Sequence, residues 1–128
     1  MSVEVRFQRP IGVSARWVEG VVKKVLKRER SNLHLDILIT DDRRIRAINK
    51  RFLKHDHATD VISFPTGDIV VSVDTARRWA KALGIRTREE LARYVVHGVL
   101  HLLGYDDKRA KDFERMHKRQ EQLLRAIV

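Results

Sequence analysis

The 128-residue sequence contains no cysteine, and that absence excludes disulfide bonds, thiolate metal ligands and a cysteine nucleophile. Aromatic residues make up only 6% of the chain, so no ladder of rings for stacking nucleic-acid bases is evident. No apolar run approaches the length of a membrane span, and the first residues alternate like a strand rather than a signal peptide. We therefore expect a cytoplasmic protein without a membrane partner.

Acidic residues are few beside basic ones. The chain has 27 Lys and Arg against 17 Asp and Glu, which gives a formal net charge of +10. Such an excess of one sign attracts polyanions, and phosphate backbones are the commonest of these. A highly charged surface of the heat-adapted kind is the alternative, but that adaptation enriches both signs. The charge therefore favours a nucleic-acid partner.

The spacing of apolar residues predicts one α+β domain over residues 1–128, with a small mixed sheet packed against helices. Hydrophobic residues make up 43% of the chain, which suffices for a single core. Four strands are predicted, at 3–7, 33–39, 61–65 and 68–73, with turns at Pro10 and Gly12 and at 65–67. About five helices are predicted, beginning at Ser14, at Asp41 or Asp42, at Asp74 or Thr75, at Thr87 and at about Lys108.

Three further features of the helices follow from the sequence. Ser14 is the expected N-cap of the first helix, since its hydroxyl can accept a hydrogen bond from a free backbone N–H. Thr87 and Glu90 have the spacing of a capping box at the start of the fourth helix. Phe52 and Phe113 fall on apolar stripes, so both rings are expected in the core.

The run HGVLHLLGYDD has the spacing of a metal site, on a helix dense enough in apolar residues to be central and buried. His97 and His101 are four residues apart, which places both imidazoles on one helix face. Gly104 lets the chain leave the helix and turn back, so that Asp107 becomes a third ligand. Such histidine pairs are often only packed, but the glycine and the later oxygen ligand match the offset of the extended zincin motif. Three protein ligands leave a position open for water, as in catalytic zinc sites.

Gly98 helps to decide which bond such a site would hydrolyse. An ion at this site would lower the pKa of its bound water toward about 7, so hydrolysis is the expected chemistry. Zincin proteases have a glutamate base directly after the first histidine, whereas Gly98 has no side chain to move a proton. Peptide hydrolysis is therefore disfavoured, and the net charge of +10 makes a phosphodiester in RNA the better candidate.

Several motifs in order resemble the YbeY family of bacterial metal-dependent endoribonucleases. They are INKRF, TDVISFP, GDIVVS, HGVLHLLGYDD and the trailing ERMHKRQEQLL, and they cover most of the chain from about Ile48 onward. The resemblance implies a single-strand-specific endoribonuclease with one zinc ion per chain, in which water activated by the metal attacks a phosphodiester. It also implies maturation of the 3′ end of 16S ribosomal RNA, ribosome quality control and work near the small ribosomal subunit in the cytoplasm, with no DNA substrate expected.

Two positions depart from the family's pattern. The third metal ligand is ordinarily histidine, where this chain has Asp107, and the negative charge of aspartate should make water on the ion less acidic. Asp106 and His117 are less favoured alternatives for that ligand. The family usually has an arginine, thought to contact substrate phosphate, at the position of Leu53. The link between SFP and GDI is also shorter than in the family.

Candidate substrate contacts lie upstream of the histidines. They are Arg51, Lys54, Thr59, Asp60 and Ser63. Arg51 or Lys54 could supply the charge that Leu53 lacks, because phosphate contacts tolerate a shifted donor, although each could equally be a solvated cation. Asp60 could orient a metal-bound histidine, or it could cap the turn that enters a strand.

Two other functions remain open from the sequence. The changes at Asp107 and Leu53 are compatible with a ribosome-associated or RNA-associated binding factor that has weak or no catalysis. A metalloprotease is the less favoured alternative, because Gly98 stands where its base is expected.

Overall fold

The structure, a computed structural model, describes residues 2–8 and 12–128 and contains a mixed four-stranded sheet. Its strands are β1 (Ser2–Phe7), β2 (His34–Thr40), β3 (Val61–Ser63) and β4 (Asp68–Ser72). The strand order is β1-β2-β4-β3, in which the first two pairs are parallel and the β4 and β3 pair is antiparallel. The predicted turn residue Pro10 lies outside the described residues, while Gly12 has a φ of +78°.

Five α-helices accompany the sheet in the described part of the chain. They are α1 (Ala15–Arg28), α2 (Asp42–Ile48), α3 (Val73–Leu83), α4 (Thr87–Leu102) and α5 (Ala110–Ile127). A π-helical turn, Asn49–Leu53, continues directly from α2. The predicted α+β class, with about four strands and about five helices, is confirmed.

Alternation along the strands buries apolar residues on both faces of the sheet. Ile37 and Ile69 face one side and belong to the main core with α1, α4 and α5. Val70 faces the other side, where it packs with Ile45 of α2 and Ile62 of β3 in a smaller cluster. The sheet is therefore a middle layer, with α4 on one side and α2 on the other.

Side chains that precede the helices fix several of their first turns. The Ser14 hydroxyl accepts a hydrogen bond from the Trp17 N–H at 3.0 Å, which confirms the predicted N-cap of α1. The predicted start of α3 at Asp74 or Thr75 is slightly late, because Ser72 is the N-cap and accepts from the Thr75 N–H at 3.2 Å. Gly84 ends α3 with a φ of +69°.

The capping box predicted from Thr87 and Glu90 is wrong. Thr87 is the first residue of α4, and Arg86 at the N-cap position makes no side-chain capping bond. Glu90 is buried, and its carboxylate accepts from Arg93 Nη1 at 2.5 Å. In a capping box the Glu90 carboxylate would accept a hydrogen bond from a backbone N–H at the start of the helix. Here it instead pairs with the charged Arg93 one turn later.

The prediction that Phe52 and Phe113 are buried is also wrong, since their exposed fractions are 58% and 50%. Phe52 lies in the π-helical turn, where the wider turn rotates it off the stripe expected for α-helical spacing. Its ring meets the edge of the Phe64 ring, with 5.7 Å between the centroids. Phe113 lines a small cavity beside His97 and stacks on His117 instead of entering the core.

Helix α4 is central, as predicted. It contacts α1, α3, α5, β3 and β4, and its buried residues run along most of its length. Gly98 permits this close packing, because a Cβ there would lie 2.9 Å from Ile69 Cγ2 and 3.1 Å from Ser63 Oγ. Within the described residues, no helix has the length and apolar character that a membrane span requires.

Candidate metal centre and cleft

Three side chains converge at the end of α4. His101 Nε2 lies 3.1 Å from His97 Nε2 and 3.2 Å from Asp107 Oδ2, and His97 Nε2 lies 3.8 Å from the same oxygen. Tetrahedral coordination with zinc bonds of about 2.0–2.2 Å places ligand atoms about 3.3–3.6 Å apart. The group of His97, His101 and Asp107 could therefore hold a metal ion.

The chain reversal after α4 brings Asp107 to the histidines. Gly104, with a φ of +100°, donates its N–H to His101 O at 3.1 Å, and Tyr105 donates its N–H to Leu100 O at 3.1 Å. These two bonds form a Schellman motif, which ends the helix and turns the chain back. The Tyr105 hydroxyl also donates to Glu29 Oε2 at 3.2 Å, which anchors the turn to the end of α1.

A hydrogen bond to α5 fixes the tautomer of His97. Its Nδ1 lies 2.8 Å from Oε1 of the buried Gln120, whose amide nitrogen donates to Glu121 Oε2 at 3.0 Å. Because the amide nitrogen is committed to a carboxylate, the amide oxygen must face His97, and the imidazole must donate from Nδ1. The lone pair of Nε2 is then free for a metal.

Arg93 holds the outer end of this chain of hydrogen bonds. It donates to both carboxylate oxygens of Glu121, at 3.0 Å and 3.1 Å, and to Glu90 at 2.5 Å. Burial raises the pKa of the Glu121 carboxyl, but the hydrogen bonds from Arg93 and Gln120 outweigh burial and hold that pKa below its ordinary value. Glu121 thus remains an acceptor for Gln120 at neutral pH. Its contribution to stability is lost only as the pH falls through that lowered pKa.

Sequence reasoning missed Gln120 as a functional residue. Its signal is a polar residue on the apolar stripe of α5, one turn after Met116 and shortly before Leu123 and Leu124. Only the packing of α5 against α4 shows that the partner of Gln120 is His97, 23 positions earlier.

The two alternative third ligands lie outside the metal group in the described structure. Asp106 Oδ1 accepts from the Lys108 N–H at 3.0 Å, and the His117 ring stacks on Phe113 with centroids 5.9 Å apart. Of the acidic residues in the turn, Asp107 alone combines with the two histidines.

The metal group opens into a cleft of about 730 Å³. The side chains of His97, His101 and Asp107 are 26%, 31% and 36% exposed, so solvent can reach them. The rest of the lining comes mostly from the π-helical turn, the loop after it and β3. These residues are Asn49, Leu53, His55, His57, Thr59, Asp60, Val61, Ile62, Ser63, Pro65 and Leu102.

Three of the predicted substrate contacts line this cleft. Ser63 Oγ donates to the Gly98 carbonyl at 2.9 Å, so it ties β3 to α4. Asp60 Oδ1 accepts from the Val61 N–H at 2.7 Å and from the Thr59 hydroxyl at 3.3 Å. Of the two roles considered for Asp60, the contacts match the capping role, and Gln120 holds the place beside His97.

The two predicted cationic contacts do not line the cleft. The Arg51 guanidinium lies over the Phe52 ring at 5.3 Å, and Lys54 has a φ of +62° at the end of the π-helical turn. The loop instead brings His55 and His57 to the cleft wall, together with Asn49. Sequence reasoning treated this segment only as a loop, although two histidines so close to a motif were a usable signal.

Comparison with known proteins identifies relatives over most of the chain. A family model described as "Endoribonuclease YbeY" matches residues 8–128. Three proteins named endoribonuclease YbeY illustrate the likeness. The Myxococcus xanthus protein is 45% identical over 75% of this chain and 37% of its own length. The Anaeromyxobacter dehalogenans protein is 45% identical over 76% and 55%, and the Aquifex aeolicus protein is 43% identical over 71% and 67%.

The chain thus spans about half the length, or less, of the first two of these relatives. A solved structure is similar in fold as well. The solution structure of TM1509 from Thermotoga maritima has a TM-score of 0.74 and 24% identity, covering 98% of this chain and 88% of that one. At this identity the likeness concerns the fold alone.

Proposed function

Since this chain belongs to the endoribonuclease YbeY family, we propose that it is a metal-dependent endoribonuclease that cleaves single-stranded RNA. The observation that carries the proposal is the group of His97, His101 and Asp107 at an open cleft. The net charge of +10 supports a polyanionic substrate.

We assign the metal to zinc, with one ion per chain. Two imidazole nitrogens and one carboxylate oxygen suit zinc, and three protein ligands leave a coordination position open. When bound, the ion would supply a Lewis acid that activates water for attack on a phosphodiester. His97, His101 and Asp107 would hold it, and Gln120 would keep the proton on His97 Nδ1.

Position 98 supports hydrolysis of a phosphodiester over a peptide. A side chain there would point at Ile69 and Ser63 of the sheet, so this position cannot present a glutamate base to the cleft. We assign no side chain as general base. Thr59 and Asp60 are proposed substrate contacts because both line the cleft.

We further propose that the substrate is ribosomal RNA at the small subunit in the cytoplasm, with a role in 16S 3′-end maturation and ribosome quality control. The support is the family's motifs and the positive charge. Neither DNA nor a membrane is a proposed partner.

The test of the proposed function is a cleavage assay combined with metal analysis. The purified protein should contain about one equivalent of zinc and should cut a single-stranded RNA internally while leaving the matching duplex intact. A chelator should stop cleavage, and added zinc should restore it. Full activity in metal-free protein would contradict the metal role. RNA binding without cleavage in any divalent metal would favour the alternative, a binding factor.

An Asp107→His variant is expected to bind zinc more tightly and to work best at lower pH than the natural chain. The substitution adds an imidazole ligand and removes a negative charge from the site, which favours the ionised form of the water that reacts. Zinc affinity by competition with a chelating dye and the pH profile of cleavage measure both effects.

Asp106→His is the matched control, because Asp106 is next in the chain but outside the metal group. It should leave affinity and pH profile unchanged. Equal zinc affinity in Asp107→His and the natural chain would mean that Asp107 is not a ligand.

A further inference from the structure

The described lining of the cleft contains no lysine or arginine. Apart from the proposed metal ligands, the lining residues that can carry positive charge are His55 and His57. A phosphate backbone that enters the cleft therefore meets these two imidazoles and the metal, while Arg51 and Lys54 lie outside the lining.

His55 and His57 form an ordered pair. Their rings are stacked within 12° of parallel, with 5.7 Å between centroids. Asn49, which is 2% exposed, donates from its side-chain Nδ2 to His57 O at 3.0 Å, and its backbone carbonyl accepts from the His55 N–H at 3.3 Å. A buried side chain thus fixes the loop from below, and the exposed rings stand at the cleft wall.

His57 can donate a hydrogen bond into the cleft only when it is charged. Its Nδ1 lies 3.1 Å from the Ala58 carbonyl oxygen, which can only accept, so Nδ1 carries a hydrogen. In the neutral ring, Nε2 then offers a lone pair and repels phosphate oxygen. In the charged ring, Nε2 donates as well, and the contact becomes a charge-assisted hydrogen bond.

The charged groups around the pair are of both signs. On the loop side, Asp56 is bonded to Arg46 at 2.9 Å and lies 3.9 Å from Lys50. Asp42 and Arg43 of α2 line a second cavity that His57 also borders. The hydrogen bond from Arg46 and the charges of Arg46 and Lys50 hold the pKa of Asp56 below its ordinary value. The groups that line the rest of the cleft are Asp60, His97, His101 and Asp107. The negative charge of Asp56 thus offsets the positive charges of Arg46 and Lys50. A bound metal ion would offset the negative charge of Asp107.

We propose that His55 and His57 form a phosphate-binding subsite that holds the backbone of single-stranded RNA beside the bond to be cleaved. The proposal rests on the proposed function and assigns its substrate contact. It replaces Arg51 and Lys54 in that role. Because the His57 ring can donate from both nitrogens only in its charged form, binding at this subsite strengthens as the pH falls.

Binding of a phosphorothioate oligoribonucleotide, which resists cleavage, tests the subsite in the zinc-loaded full chain. The His55→Gln, His57→Gln double variant should bind more weakly than the natural chain at pH 6. The slope of log affinity against log salt should fall by about 0.7 for each phosphate of the single strand that the variant no longer neutralises. At pH 8 the two proteins should bind alike, and a His57→Lys variant should keep its salt slope at both pH values.

The Arg51→Gln, Lys54→Gln double variant is the matched control, with two cations removed from the same segment. It should bind like the natural chain at pH 6, and the zinc content of every variant should be unchanged at each pH. Equal slopes for the histidine variant and the natural chain would overturn the subsite, as would a weakening that is the same at pH 6 and pH 8. If the natural chain binds RNA in this manner but never cleaves it, the proposed nuclease function is contradicted and the proposed subsite is not. No RNA binding at all would overturn the subsite as well.

Discussion

A His97→Ala variant is expected to lose both bound zinc and RNA cleavage. His97 Nε2 is one of three ligand atoms in the metal group, so its removal leaves His101 and Asp107 as a weak two-ligand site. Zinc sites with four ligands bind with about 10–16 kcal/mol, so each ligand is worth roughly 3 kcal/mol and its removal more than about 100-fold in affinity. Metal analysis after gel filtration and the cleavage assay measure the two effects.

His117→Ala is the matched control for this experiment. It removes an exposed imidazole from α5 near the same site but outside the metal group. That variant should retain zinc and full cleavage, and the circular dichroism of both variants should match the natural chain. Zinc retained by His97→Ala, or zinc missing from His117→Ala, would contradict the assigned ligand set.

A Gln120→Leu variant is expected to bind zinc about 10–100-fold more weakly, the usual effect of removing the partner of a metal-bound histidine. Leucine is apolar and of similar size, so the core position stays filled. His97 would lose the acceptor 2.8 Å from Nδ1 that fixes its tautomer, and Glu121 would lose a donor at 3.0 Å. Titration of zinc against a competing chelator measures the change.

Gln122→Leu makes the same chemical change on the same helix, at an exposed position. Its zinc affinity should equal that of the natural chain. A structural role alone would lower the melting temperature of Gln120→Leu without moving zinc affinity, and that result would refute the orienting role of Gln120.

The parts of the site that the sequence predicted are local ones. His97 and His101 share a face because any helix places residues four apart on one side. Gly104 and Asp107 follow shortly after His101, where the chain turns back from the helix. Ser14 as the N-cap of α1 follows from the same short-range chemistry. The spacing of apolar residues also gave the strands and helices in their correct order.

The parts that the sequence did not predict depend on packing between distant segments. The partner of His97 comes from α5, and the loop of His55 and His57 lines the same cleft as the metal group, which is far away in the sequence. The π-helical turn exposes Phe52, and no periodicity argument signals such a turn. Glu90 likewise has the sequence spacing of a capping box, yet in the fold its carboxylate forms an ion pair with Arg93.

The anchoring of the turn after α4 has a consequence for the order of events during protein synthesis. Glu29 receives hydrogen bonds from the Tyr105 hydroxyl at 3.2 Å and from Arg119 at 2.6 Å, so it joins α1, the turn and α5. The next residue of α5, Gln120, orients His97. The proposed metal site therefore cannot reach its final geometry while α5 is still being translated. A nascent chain that has already made both histidines still lacks the hydrogen bond that orients His97, so the proposed metal site stays incomplete until α5 has folded.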